Sequence, residues 1–575
     1  MLKQIIIDLL SKQTGLRKEE LLNLIEVPPS EDLGDYSFPC FILSKKEKKA
    51  SNLIAEHIAK QLSQKLPKEI EKITSSGPYL NFFVNKTFLA EQIIKIDSNF
   101  GKTNLGKKRT VCIDFSAPNI GKPMHIGHIR STIIGDSMMR IYSFLNYNPI
   151  GINYLGDVGL HIGKLIVAYE LWLDKNALKK DPVAELLRLY VNFCGKEKSE
   201  AKEGMEQEEE FADNEWTNKA KEKIKLLELG DKKTEKIWDE IRKASGKGFK
   251  KVYDLLNVSF DETTGQSEFT RKGKNIVALA LERGLAKREN DGAVYVQLDE
   301  KNPESKKYIL RRNETASYIT YDLGAAAERF KKYKFDKMIY VTDFRQQAHF
   351  SSLFILLKLM NYEFSDNLIH LPFGIIKFGN EIIATREGNI ILLEDVLEKT
   401  IEKAKEEIKK RKTKGDAEKV GVGAIKYIIL KNEPIKDVQF SWESALSFEG
   451  NTGPYLQYSY ARASSIIKKA KKKNINKGKI NLKKQKLSKE EIRLVKKISE
   501  FPEIIINAEK NLNPSLIANY SHELCQIFNE FYHNCKVLTA EKKEEKILRL
   551  RLVDSFRTCL SNSLHLLGIE TMEEM

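Results

Sequence analysis

The sequence predicts a multidomain α/β protein: a Rossmann-like parallel-sheet core with a helical insertion, a small α+β N-terminal domain and a C-terminal helical bundle. Three observations carry this reading. Short β-branched runs alternate with helical periodicity from Val111 to about residue 400. Residues 181–252 are long-helical and laced with Lys/Glu pairs at helical spacing, as a solvated insertion would be. From Lys419 onward apolar residues recur at three and four positions while strand-like alternation is scarce.

At the amino end, residues 2–10 and 18–25 have the spacing of two short helices, and the acidic turn ending at Pro39 prevents either from continuing. Residues 52–66 are again helical in spacing, and Tyr79-Leu80-Asn81-Phe82-Phe83-Val84 reads as an aromatic strand after Gly77-Pro78. A domain over residues 1–108 results, either a packing appendage or an RNA-contacting module. The core follows over residues 109–418. Val111-Cys112-Ile113-Asp114-Phe115 is its first strand, a loop leads into a helix over 129–145, and a second strand and helix follow at 149–154 and 165–172. After the insertion, Ala293-Val294-Tyr295-Val296, Tyr308-Ile309-Leu310 and Met338-Ile339-Tyr340-Val341 restore core strands, with residues 325–330 helical between the last two. The bundle occupies residues 419–575. It is interrupted at 468–489, where eleven lysines repel one another and predict a flexible hairpin or loop.

Composition narrows the function. A chain of 575 residues with 41% hydrophobic side chains buries a large core and exceeds one domain. Lys plus Arg, 96, outweighs Asp plus Glu, 80, and the net charge of +16 favours a polyanionic partner. With 32 Gly, 15 Pro and no internal period, collagen-like, mucin-like and solenoid classes are excluded. No two of the six cysteines are close enough for a metal or disulfide framework, so no metal site is assigned. The opening residues lack a signal-peptide pattern and no segment approaches the apolar length of a membrane span, so a cytoplasmic protein without a membrane is expected.

The chemistry centres on His125-Ile126-Gly127-His128, between the first core strand and its helix. There a phosphate meets a helix N-terminus. Gly127 lets a nucleotide approach the backbone, and two imidazoles can donate to phosphate oxygens that gain charge during displacement.

This H-x-G-H stretch, residues 114–136, resembles class I aminoacyl-tRNA synthetases, and residues 116–135 are similar to the arginyl-tRNA synthetases in particular. Further blocks resemble the same family in order: Asn153-Tyr154-Leu155-Gly156-Asp157-Val158-Gly159, Tyr318-Ile319-Thr320-Tyr321-Asp322, Gln346 with His349-Phe350, and Phe448-Glu449-Gly450-Asn451-Thr452-Gly453-Pro454-Tyr455. The resemblance implies ATP-dependent ligation of L-arginine to its tRNA through an arginyl-adenylate, with Mg²⁺ bound alongside ATP. It implies His125, His128 and Lys122 as catalytic residues, with Gly127 and Arg386 also meeting ATP. Asp114, Asn119, Tyr318, Asp322 and Gln346 would line the arginine pocket, Asp322 pairing with the guanidinium and Asn119 holding the amino-acid end. A guanidinium is planar, always charged and presents five donors, so such a pocket needs fixed carboxylate and amide oxygens.

The sequence also departs from the family pattern. The usual Lys-Met-Ser-Lys-Ser loop reads Ile382-Ile383-Ala384-Thr385-Arg386, without lysine at either position. Lys122, three residues before His125, resembles the lysine that substitutes in such members; Arg386 and Lys377 are further local cations. Gln266 stands where a glutamate is common, Leu160-His161 replace a Thr-Gln pair, and Tyr321 replaces a frequent arginine.

The helix begun by Gly453-Pro454 carries Tyr455, Gln457, Tyr458 and Arg462, which either contact RNA or pack the bundle. Residues 528–533, 549–552 and 566–569 resemble the family's anticodon-binding domain. The lysine-rich 468–489 segment either follows tRNA phosphates or is a solvated tether. The amino-terminal domain resembles the family's extension to the tRNA corner, where Asn81 and Phe82 would meet an exposed base. The resemblance also implies that activation needs bound tRNA. A monomer without an obligate protein partner is expected. A nucleotidyltransferase with a small-molecule acceptor would leave the C-terminal region idle, and an inactive RNA binder would not need paired imidazoles.

Overall fold

A computed structural model describes residues 2–199, 214–299, 301–302, 305–312, 314–378, 381–382, 392–475, 478, 480–482 and 485–575. The acidic run within 202–210 and the loop bearing Ile383, Ala384, Thr385 and Arg386 lie outside these residues.

The central sheet has five parallel strands in the spatial order Leu368–Phe373, Lys337–Asp343, Thr110–Asp114, Asn148–Leu155, Glu262–Gly265. Val111, Cys112, Ile113, Ile152, Ile339 and Val341 are buried, as expected of a sheet covered on both faces. The direction of chain progression reverses at Thr110–Asp114: the next strand lies on one side and Lys337–Asp343 on the other. At such a reversal the crevice outside the carboxyl ends receives ligands, and it is here that the chain leaves Asp114 for the H-x-G-H loop.

The expected Rossmann-like core is present, with one change in its membership. Val294–Gln297 and Lys306–Leu310 do not join it; with Ala286–Arg288 they form a separate antiparallel sheet. Short hairpin connections favour antiparallel pairing, whereas a parallel neighbour requires a crossover. The insertion consists of helices Pro182–Ser199, Glu215–Glu228 and Lys232–Leu256.

The amino-terminal sheet is antiparallel with Tyr79–Val84 in the middle, between Tyr36–Pro39 and Ile70–Ser76. Its core gathers Ile6, Leu10, Leu21, Phe38, Ile54, Ile58 and Phe82. The carboxy-terminal part is helical, with Gly453–Lys472, Lys489–Lys510, Ser515–Asn534 and Lys543–Leu566, but also contributes a strand, Val438–Phe440, to a small mixed sheet. The lysine-rich segment is not all loop. Its first five residues finish the helix Gly453–Lys472, and Lys489 begins the next.

Two compact units divide the chain: Met1–Phe100 with Ala463–Phe501 and Glu523–Leu560, and Gly101–Arg462 with Pro502–His522 and Ser561–Met575. Each of the four long C-terminal helices therefore contributes residues to both. In the first unit the rings of Phe528 and Phe556 stack at 3.7 Å. In the second, buried Lys426 donates to the Gly568 carbonyl at 2.7 Å, and Ser137 on the helix Ile126–Phe144 donates to Leu566 at 2.8 Å, anchoring the carboxy-terminal tail. Among the described residues no helix is long and apolar enough to cross a membrane.

Candidate active site

The helix Ile126–Phe144 begins three residues earlier than its apolar periodicity suggests, because its cap is an imidazole. His125 Nδ1 accepts from the Gly127 N–H at 3.0 Å, and His128 Nδ1 accepts from the His125 N–H at 3.1 Å. The two rings stand 3.9 Å apart. Burial lowers His125 to about 4 and His128 to about 3, with the Lys122 ammonium adding to both shifts. Both rings are thus neutral at pH 7. With each Nδ1 accepting, the proton resides on Nε2, so the helix start presents two N–H donors. Gly127 is exposed, and a side chain there would come within 2.8 Å of the His125 ring.

The loop feeding this helix is strained and held from behind. Ser116 and Ala117 both have positive φ, 72° and 47°, conformations that L-residues adopt at a cost. A buried network fixes them. Ser116 N–H donates to Ser131 Oγ at 2.8 Å, Ala117 N–H to Asn153 Oδ1 at 3.2 Å, and the Ser116 hydroxyl meets Tyr253 Oη at 2.8 Å. Further along, Pro118 and Ile120 bracket Gly156 with reciprocal backbone bonds of 3.1 Å, and Asn119 Oδ1 occupies the space a Gly156 Cβ would need. Asn119 is thereby placed at the carboxyl end of Asn148–Leu155.

The helix Tyr318–Tyr333 brings the other pocket candidates alongside. Asp322 Oδ2 accepts from His349 Nε2 at 2.6 Å, with both side chains largely buried. Tyr318 is half exposed, its hydroxyl near Gly159, and Gln346 is exposed in the turn after Lys337–Asp343. Asp114 differs from expectation. Its Oδ2 is taken at 2.7 Å by Arg329 on the same helix, and both side chains are almost wholly buried. Burial pushes the Asp114 carboxyl above its ordinary range, and the Arg329 guanidinium opposes that push. Asp114 therefore faces an internal cation rather than open pocket.

Around the departures, Asp157 is buried and accepts from Ser267 N–H and Oγ at 2.9 and 2.7 Å, while the neighbouring Gln266 keeps a buried Oε1 with no protein donor. His161 is lowered to about 3 by burial, with Lys122 contributing. Tyr321 packs with Val158 and Ala316. Lys377 pairs with Asp437 at 2.8 Å, and the Lys122 ammonium lies 4.6 Å from the Tyr190 ring. Among the described residues no cluster of His, Cys, Asp and Glu could hold a metal ion.

Two sets of expected RNA contacts are corrected. Asn81 is 3% exposed and accepts from Ser37 Oγ, and Phe82 is 0% exposed, because the central strand of a three-stranded sheet is covered. The accessible rings nearby are Phe41, 54% exposed, and Tyr79, in edge contact at 5.7 Å. Gln457 is fully buried, its Nε2 donating to the carbonyls of Lys419 and Glu570 at 3.0 and 2.9 Å, so it packs rather than binds. Tyr455, Tyr458 and Arg462 remain half-buried, Arg462 lying 4.8 Å from the Tyr458 ring. Sequence reasoning missed Arg329, Tyr253 and the fully buried Arg130, which donates to the carbonyls of Lys436 and Pro434. No local pattern marks them; a lone buried arginine is visible only once its long-range partner is known.

A parallel sheet opening at its reversal point onto two imidazole donors at a helix start defines a class I aminoacyl-tRNA synthetase core. Known proteins agree. Residues 90–442 match the model for the catalytic domain of class I (R) tRNA synthetases, residues 456–575 the DALR anticodon binding domain, and residues 1–84 the arginyl-tRNA synthetase N-terminal domain. Arginine–tRNA ligases of Clostridium botulinum (strain Hall) and Clostridium perfringens (strain 13) are 40% and 39% identical to the chain, with full coverage of both sequences. The Thermus thermophilus arginyl-tRNA synthetase structure has a TM-score of 0.81 at 23% identity, covering all of both chains. That of Plasmodium falciparum has 0.79 at 26%, covering all of this chain and 98% of its own. The chain belongs to the arginyl-tRNA synthetase family. It uses ATP to join arginine to tRNA through an arginyl-adenylate.

Proposed function

We propose that activation takes place outside the carboxyl ends of Thr110–Asp114 and Lys337–Asp343. His125 and His128 donate from Nε2 to ATP phosphate oxygens, Gly127 lets the nucleotide lie against the helix start, and Lys122 and Arg386 supply positive charge. Asp322 takes the arginine guanidinium through the oxygen His349 leaves open, with Tyr318, Gln346 and Asn119 completing the pocket. Asp114 acts behind them through Arg329. The observation that carries this reading is the pair of imidazoles whose Nδ1 atoms are both occupied by backbone donors, leaving both Nε2–H groups to a ligand.

The arginine carboxylate forms a bond to the α-phosphorus; the bond to pyrophosphate breaks and its electron pair leaves with pyrophosphate. Neutral donors suit this step, since their bonds strengthen as charge gathers on phosphate oxygen without a proton having to move. Mg²⁺ carried in with the triphosphate supplies further charge neutralisation. The terminal ribose hydroxyl of tRNA then attacks the adenylate carbonyl and AMP leaves.

For RNA, residues 1–108 are read as a corner-binding domain, 109–418 as a catalytic domain and 419–575 as an anticodon-binding domain, a reading supported by family models matched in the same order over 1–84, 90–442 and 456–575. Tyr455, Tyr458 and Arg462 stay as contacts, and Phe41 with Tyr79 replaces Asn81 and Phe82, since a base can stack only on an accessible ring. A monomer working in the cytoplasm, where tRNA is charged, fits this reading. The test is ATP–pyrophosphate exchange with each amino acid, with and without tRNA. Exchange with arginine that appears only when tRNA is added is expected; preference for another amino acid would overturn the pocket assignment.

A further inference from the structure

We propose that His161, on the helix Leu160–Trp172, is a substrate-binding residue: its Nε2 accepts a hydrogen bond from the α-ammonium of arginine, beside Asn119. This rests on the reading that puts the amino-acid end of arginine at Asn119 and its guanidinium at Asp322.

The place of the ring follows from Gly156, the residue after the strand Asn148–Leu155. A Cβ on Gly156 would fall 1.9 Å from Asn119 Oδ1, and the Gly156 carbonyl accepts a hydrogen bond from the His161 ring. The exposed Asn119 amide and the imidazole therefore meet at one residue. The ring also borders Gly159, which has φ +109°: a Cβ there would lie 3.5 Å from His161 Nδ1 and 3.6 Å from Tyr318 Oη. His161 thus shares its glycine neighbours with two members of the arginine pocket, Asn119 and Tyr318.

Protonation fixes what the ring can offer. Burial, with the Lys122 and Lys164 ammonium groups adding to it, lowers His161 to about 3, so at pH 7 the ring is neutral with one N–H and one bare nitrogen. A carbonyl only accepts, so the bond to Gly156 uses the N–H. Nε2 is buried and meets no hydrogen-bonding group among the described residues, which puts the proton on Nδ1 and leaves a lone pair at Nε2. A buried acceptor without a donor is costly, and a ligand that brings the donor removes that cost. The arginine carboxylate and the ATP phosphates cannot do so, because they only accept. The α-ammonium has three N–H groups, and it meets a neutral ring where an imidazolium would repel it. The same requirement accounts for histidine in the place of a common glutamine: an amide also has a donating and an accepting end, and can bond the Gly156 carbonyl and arginine together.

The full-length protein is assayed by ATP–pyrophosphate exchange at saturating tRNA and ATP, with His161→Phe, His161→Leu, His161→Gln and Asp322→Asn. Two competitive inhibitors separate the ends of the substrate: agmatine, with the amine and guanidinium but no carboxylate, and δ-guanidinovalerate, with the guanidinium and carboxylate but no amine. His161→Phe and His161→Leu are expected to raise KM for arginine and the inhibition constant of agmatine by about ten- to hundredfold. They leave kcat and the inhibition constant of δ-guanidinovalerate in place, as loss of a contact made equally in the bound and transition states requires. His161→Gln restores the parent values. An unchanged KM, or equal weakening of both inhibitors, in both His161→Phe and His161→Leu would overturn the α-ammonium contact. Normal exchange with slowed transfer of arginine to tRNA would also overturn it, assigning Nε2 to the terminal ribose hydroxyl instead. Asp322→Asn should weaken both inhibitors; if it weakens neither, the reading of the pocket fails, and this proposal with it.

Discussion

At the scale of single residues, the site depends on protonation states that an isolated imidazole would not keep. His125 and His128 are held far below the ordinary value of 6.5 by burial, reinforced by Lys122. For such depressed groups the unfolded chain binds protons first: their contribution to stability is complete above about 6.5 and is lost as pH falls toward about 4 and 3. The exchange rate should accordingly show no titration of these histidines near pH 6.5, with its acid limb displaced toward pH 4. A pH–rate profile with a histidine limb between about 6 and 7, abolished in His128→Asn, would contradict neutral buried donors. The motif itself was legible because adjacent residues and a strand–loop–helix setting specify it. The tautomer was not, since it is fixed by backbone N–H groups whose direction only the folded loop defines.

At the scale of elements, the ion pair between Asp114 and Arg329 ties the strand that leads into the histidine loop to the helix that carries Tyr318 and Asp322. Arg329 also lies over the Tyr154 ring at 4.6 Å, so three elements meet at one cation. Removing one partner leaves the other charged in the core. Arg329→Leu should therefore destabilise the protein by about 3–5 kcal/mol, while Asp114→Leu/Arg329→Leu should be much closer to the parent. Denaturant midpoints of the single and double variants decide this; a double variant as unstable as the single would remove the pair from its structural role. Folded Arg329→Lys, which keeps charge but loses the planar fork, should raise KM for arginine more than KM for ATP. The strands and helices of this region were predictable from periodicity, but their pairing was not. Val294–Gln297 has the same alternating character as a core strand, and only its short connections send it to a separate antiparallel sheet. Phe82 shows the same limit: an aromatic strand residue reads alike whether its sheet position is central or at an edge.

At the scale of the molecule, a net charge of +16 must be placed before it explains affinity for RNA. Much of the basic content is spent on local pairs with carboxylates, such as Lys164 with Glu197 and Arg549 with Glu491. Lys468, Lys469, Lys471 and Lys472 crowd the exposed end of one helix at the start of the lysine-rich segment, with Lys473 directly after it. Helix formation there brings like charges to neighbouring turns, an arrangement that costs stability unless a polyanion offsets it. The segment should therefore follow tRNA phosphates rather than act as a tether. Replacing Lys468, Lys469, Lys472 and Lys473 with glutamine should weaken tRNA binding at low salt. It should also reduce the slope of log affinity against log salt by roughly 0.7–0.9 for each phosphate that is no longer neutralised, with the melting temperature of the free protein unchanged or slightly improved. Titration of tRNA at several salt concentrations gives the answer: an unchanged affinity and slope at low ionic strength would assign the segment to a linker.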